Sequence, residues 1–135
     1  MTIGCPSSGT PGRPVKLITV KALLSADALG RINAFANYYF CDLANCETVY
    51  FSEDSSFSTQ ELNVRVYQKN PAADVFVCYC FGHTKADLEN DPKLEAVIRD
   101  HTRANRCACE VRNPQGACCL GNVRAILTSQ ESDSD

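Results

Sequence analysis

Two kinds of hydrophobic pattern meet near residue 70 of this chain. Before that point, short apolar and aromatic stretches recur at strand spacing. Residues 15–20 alternate apolar and polar side chains, which predicts a strand. Tyr38-Tyr39-Phe40 and Val49-Tyr50-Phe51 are aromatic and β-branched, types that fit a pleated, half-buried surface. Asp42-Leu43-Ala44-Asn45 between them is a turn of hairpin length. Residues 62–67 alternate again and are expected to pair with this group. Residues 1–14, rich in Gly, Pro, Ser and Thr, read as loop, and Ser25 is a candidate N-cap for a short helix through Ala28, Leu29 and Ile32.

Beyond Asn70-Pro71 the period lengthens. Val75-Phe76-Val77 predicts a buried strand running directly into Cys78. Thr84 stands where it would cap a short helix, and Asp91-Pro92 is a stronger start signal. Leu94, Val97, Ile98 and His101 then share one helical face to about Asn105. Residues 107–111 fit a short extended segment, Asn113-Pro114 turns the chain, and Leu120, Val123, Ile126 and Leu127 stripe a last helix. The expectation is an α+β fold: a β-lobe over residues 1–70, a helical lobe over 71–128, and a disordered acidic tail over 129–135.

Length and charge narrow the function. A chain of 135 residues suits one ordinary domain or two small lobes that need outside support. The net charge is −3 with both signs mixed, and no basic run follows a phosphate backbone, so nucleic acid is not an expected partner. No apolar run approaches the roughly 18–20 residues that span a bilayer. The first residues lack a charged segment before an apolar core, so no secretory signal is expected and the location reads as cytoplasmic. Neither a nucleophile elbow nor a Gly-rich phosphate loop occurs, and no enzyme chemistry is expected.

Nine cysteines change the picture most. An odd count, an adjacent pair and Cys-x-Cys spacings suit metal ligation better than disulfides, as does a reducing compartment. Cys41 and Cys46 stand at the two ends of a tight turn, the form of a zinc knuckle. Cys5-Pro6 brings a third sulfur, but three residues on stands Ser8, whose neutral hydroxyl is a poor zinc ligand. Asp42, a water, another cysteine or nothing remain open for the fourth position. The second constellation is Cys78-x-Cys80, Cys107-x-Cys109 and Cys118-Cys119. Four thiolates, two to an iron, hold a [2Fe–2S] cluster, and a Cys-x-Cys leaving a strand end aims two sulfurs into one loop. Gly116 would let backbone amides approach such a group, and the last helix would turn its positive end toward it. Spacing alone leaves iron–sulfur, zinc and Cu(I) open, since soft thiolates suit all three. His83, three residues after Cys80, reads as a loop histidine, and His101 as a helix-face residue.

The strings Tyr38-Tyr39-Phe40-Cys41, Cys46 and Val49-Tyr50-Phe51 resemble the N-terminal domain of the CopZ-type copper chaperones. Val77-Cys78-Tyr79-Cys80, Cys109, Asn113-Pro114, Gly116 and Cys118-Cys119 continue the likeness, which covers about residues 5–127. The resemblance implies a zinc-ribbon-like β-lobe and a helical [2Fe–2S]-binding lobe. It assigns the cluster to Cys78, Cys80, Cys109 and Cys119, with Cys118 as the alternative to the last. Zinc falls to Cys5, Cys41, Cys46 and the position of Ser8, where the family has a cysteine. Cu(I) is a further candidate cation. In that family a heavy-metal-associated domain follows and hands Cu(I) to a transport ATPase; no Met-x-Cys-x-x-Cys appears in these residues. The implied role is a metallochaperone-like redox protein of copper or heavy-metal homeostasis, giving one electron to a metal ion or a partner. The implied partner is a copper-transport ATPase or a separate heavy-metal-associated domain. The competing reading is a structural module with closed zinc sites.

Overall fold

The computed structural model describes residues 3–133, with side chains described to residue 128. The fold is α+β, built on two sheets. Strands β1 (Arg13–Val15), β2 (Tyr38–Phe40), β3 (Thr48–Phe51) and β4 (Ser56–Ser58) form one antiparallel sheet in sequence order. Strands β5 (Phe76–Cys78) and β6 (His83–Thr84) form a hairpin. The described residues also form six α-helices: α1 (Leu17–Leu23), α2 (Ala26–Leu29), α3 (Lys85–Asn90), α4 (Leu94–Arg103), α5 (Cys109–Arg112) and α6 (Leu120–Asp133). Among the described residues, no helix is long and apolar enough to cross a membrane. The acidic tail expected over 129–135 falls on residues whose side chains, and for the last two the backbone, lie outside the described residues.

Several local signals act as their chemistry dictates. The Ser25 hydroxyl accepts the Ala28 N–H to start α2. Thr84 and Asp87 exchange the two hydrogen bonds of a capping box at α3, satisfying two otherwise orphaned donors. Asp91 accepts the Lys93 N–H just ahead of α4.

Three expected elements differ. Residues 15–20 leave the sheet after Val15 and become helix, because Thr19, Val20 and Leu23 then share one buried face while Ile18 turns outward. Tertiary burial outweighs the β-preference of that run. The fourth strand is Ser56–Ser58, anchored by buried Phe57 opposite Tyr50, not the alternating segment 62–67. That segment instead finishes α1: the Asn63 N–H donates to the Leu23 carbonyl and its side-chain amide to the Leu24 carbonyl. Residues 107–111 are not extended either, since the Val111 and Arg112 amides both bond to the Ala108 carbonyl and wind α5.

Burial divides into three clusters. Val20, Leu24, Tyr38, Phe40, Val49, Tyr50, Phe57 and Val66 fill the first, between the sheet and α1. Val77, Cys78, Leu88, Ile98, Cys109, Cys119, Val123 and Ile126 fill the second, among β5, α3, α4, α5 and α6. A small third one joins Cys5, Cys41 and Cys46 to Phe51.

Helices α1 and α5 join the first two cores. The Thr19 hydroxyl donates to the Glu110 carbonyl there. Gly116, at φ 70°, turns the chain so close to β1 and α1 that a Cβ would sit 3.3 Å from a Val15 methyl and 3.4 Å from the Thr19 hydroxyl. Buried Tyr50 spans the seam, its hydroxyl donating to the Pro114 carbonyl, and burial pushes its phenol up so that it stays a neutral donor. Tyr50→Phe leaves that carbonyl without its partner and should cost about 1–3 kcal/mol. The urea midpoint should fall by the matching amount at unchanged slope.

Candidate metal centres

The first centre is assembled by two tight loops. In the opening loop the Cys5 N–H bonds to the Thr10 carbonyl and the Gly9 N–H returns to the Cys5 carbonyl, both at 2.8 Å. Gly9 takes φ 77°, which lets so short a loop close. In the second loop the Cys41 N–H bonds to the Val49 carbonyl and the Cys46 N–H to the Leu43 carbonyl. Antiparallel pairing of β1 with β2 and β2 with β3 then lays one loop against the other. The three sulfurs are buried and all lie within 4.8 Å of one another, with Cys5 Sγ and Cys46 Sγ 3.7 Å apart.

Ser8 stands at this group. Its hydroxyl lies 3.8 Å from Cys41 Sγ and also hydrogen-bonds the Cys5 sulfur. Asp42 is outside the three-sulfur group among the described residues. Burial opposes ionisation of Cys5, yet hydrogen bonds from the Ser8 hydroxyl and the Ser7 and Ser8 amides outweigh it and bring the thiol down to about 7. Burial dominates at Cys41 and pushes that thiol up, against the Leu43 amide, Ser8 and the Lys69 charge. Lys69 is a residue that sequence reasoning passed over. Its ammonium lies 3.8 Å from Cys41 Sγ and donates to the Leu43 and Cys46 carbonyls at 2.8 and 2.9 Å. Nothing in its spacing signals this, for it comes 23 residues after Cys46 by way of the fold. Three thiols converging from two loops fit a soft or borderline cation such as Zn²⁺ or Cu(I).

The second group of cysteines comes from β5, the loop after it, α5 and the start of α6. Cys80 Sγ and Cys109 Sγ are 3.6 Å apart, and the Cys119 thiol hydrogen-bonds the sulfurs of both Cys109 and Cys78. Of the adjacent pair, Cys119 is buried in the core and Cys118 is exposed. Cys107, half-buried, hydrogen-bonds the Cys109 sulfur. Backbone amides also face these sulfurs: Ala108 N–H reaches Cys80 Sγ at 3.0 Å, and those of Phe81 and Cys80 reach Cys78. Gly116 is spent on the seam with α1.

The hydrogen bond from Cys119 is the main influence on two neighbours. It lowers Cys78 to about 7 and Cys109 to about 6, against burial. Cys119, as their donor, is raised, and burial lifts Cys80 to about 12. Loading a thiophilic group here therefore expels thiol protons. Four clustered thiols, with amides aimed at the sulfurs, fit a thiolate-held group of negative charge.

The histidines stand apart from the sulfurs in role. His101 stacks on Phe81 with ring centroids 4.2 Å apart, and its Nδ1 accepts Arg106 Nε–H at 2.9 Å. His83 pairs with Cys78 across the β5–β6 hairpin.

Comparison with known proteins gives three matches. Residues 3–63 match a family model, zf_CopZ, described as a zinc binding domain. The Copper chaperone CopZ of Archaeoglobus fulgidus is 37% identical over 127 residues, which cover 90% of this chain and 60% of that protein. The chain thus spans about 60% of the length of the curated relative it matches. The X-ray structure of the Archaeoglobus fulgidus CopZ N-terminal domain superposes with a TM-score of 0.75 at 31% identity, covering 92% of this chain and 97% of that one.

Proposed function

The chain belongs to the CopZ N-terminal domain family, and on that premise we propose that it is a metallochaperone-type electron carrier of copper or heavy-metal homeostasis. Cys78, Cys80, Cys109 and Cys119 would hold a [2Fe–2S] group, and Cys5, Cys41 and Cys46 a zinc ion, in a zinc-ribbon-like lobe. A [2Fe–2S] group supplies one electron at a time, which suits reduction of Cu(II) or a related metal ion. The reading is supported chiefly by one observation: thiols from four separate segments meet in one core, linked through Cys119 and the 3.6 Å Cys80–Cys109 pair. Within it, each residue has a stated task. The thiols bind; the amides of Ala108, Phe81 and Cys80 stabilise negative charge on the sulfurs; Leu88, Ile98, Val123 and Ile126 exclude water. No turnover chemistry is required of this chain. The recipient would be a copper-transport ATPase or a heavy-metal-associated chaperone domain in the cytoplasm.

Protein purified without oxygen should contain iron and zinc and show broad visible absorbance that bleaches with dithionite. A colourless protein holding zinc alone would favour closed structural sites and remove the redox role.

A further inference from the structure

The first centre presents three buried thiols and, at its remaining corner, an exposed hydroxyl. Ser8 bonds Cys5, lies 3.8 Å from Cys41 Sγ and shares a 2.9 Å hydrogen bond with Thr10 Oγ1. Zinc sites with four protein thiolates are closed and structural, whereas sites with three protein ligands keep a position for an exchangeable one. Cys5 and Ser8 keep the knuckle spacing of two intervening residues, so the loop geometry of a fourth ligand is present without its sulfur. We propose that the Cys5–Cys41–Cys46 centre holds its metal with an exchangeable fourth ligand, and that this ligand is an external thiolate, from a small thiol or a partner's cysteine. The inference rests on the zinc assignment above and goes beyond it by making the centre a place of metal hand-over.

The charge beside the centre supports a thiolate rather than a neutral ligand. The Lys69 ammonium stands 3.8 Å from Cys41 Sγ, held there by the Leu43 and Cys46 carbonyls, and favours incoming negative charge. Lys69 also lines a cleft of about 530 Å³ with Ala44, Asn45, Tyr67 and Lys85, which opens beside the metal loop. A thiol that takes the fourth position gives its proton to solvent and displaces a metal-bound water. Charge at the centre becomes one unit more negative, next to a fixed cation.

Zinc-edge X-ray absorption of the full chain, purified with its metals and kept free of thiol, reads the ligands whatever the second centre contains. The wild type should show three sulfurs and one oxygen, becoming four sulfurs when 2-mercaptoethanol is added. Ser8→Cys should show four sulfurs in both states. Transfer of zinc to a chelator should be quickened by the thiol in the wild type, and be about tenfold slower and thiol-independent in Ser8→Cys. Four sulfurs in thiol-free wild type, or three that the thiol leaves unchanged, would overturn the exchangeable position while leaving zinc binding intact. Absence of zinc from both proteins would overturn the zinc assignment itself, and this inference with it.

Discussion

Replacing Cys80 by alanine should abolish the visible colour of the anaerobically purified protein, and replacing Cys107 should leave it. The two residues stand in different relations to the sulfur cluster. Cys80 Sγ lies 3.6 Å from Cys109 Sγ and receives the Ala108 N–H, so its loss removes one of four thiols and strands that amide. Cys107, half-buried like Cys80, meets the group through its hydrogen bond to the Cys109 sulfur. A [2Fe–2S] group draws on four thiolates, two to an iron, so the expected loss of iron absorbance is nearly complete. If colour survives in Cys80→Ala and vanishes in the double variant with Cys107→Ala, Cys107 is the ligand in place of Cys80. Bleaching by Cys107→Ala alone would refute the ligand set outright. Circular dichroism of each variant separates loss of the group from loss of the fold.

The parts of this molecule legible in the sequence are those set by short-range chemistry. Ser25, Thr84 and Asp91 each cap or initiate where their side chains allow, and aromatic Tyr38–Phe40 and Thr48–Phe51 pair as strands. The elements that read wrongly are decided by distant partners. Residues 17–23 coil because Thr19 and Val20 meet α5 and the sheet core, a fact that no local pattern holds. Residues 62–67 alternate like a strand, yet Asn63 is drawn to the carbonyls that end α1. The same division runs through the metal centres. Cysteine spacing marks Cys41 and Cys46 as the two ends of one turn, and the fold brings Cys5 to them. Spacing does not tell Cys118 from Cys119, and only the fold shows that Cys119 enters the core while Cys118 faces solvent. Lys69 was invisible for a plainer reason. A lysine has no spacing signature, and only the fold brings it back across the metal loop.

Removing zinc should lower the melting temperature of the β-sheet lobe by more than about 10 °C while leaving the cysteine-rich helical lobe folded. The four strands have only three or four residues each, and the hydrophobic cluster around the metal loops consists of Phe51 and the three cysteines themselves. A lobe of some 60–70 residues buries too little surface to be secure alone, and small folds of this kind draw on metal ligation. Apparent zinc binding energies in small metal-folded peptides are on the order of 10 kcal/mol, and three ligands that close two loops should deliver several of those to folding. Each kcal/mol moves the midpoint of so small a unit by about 4–8 °C, which gives the size of the shift. Cys41→Ala should reproduce it, because Cys41 joins Ser8 of the first loop to Lys69 beyond the second, and a chelator should then add nothing. The buried cluster of Val77, Leu88, Ile98, Val123 and Ile126 includes none of the three zinc thiols, so the helical lobe should keep its own transition, read by the visible absorbance of the second centre. A melting curve that neither chelator nor Cys41→Ala displaces would mean that the sheet stands on its apolar core alone, and that the three thiols contribute nothing to its stability.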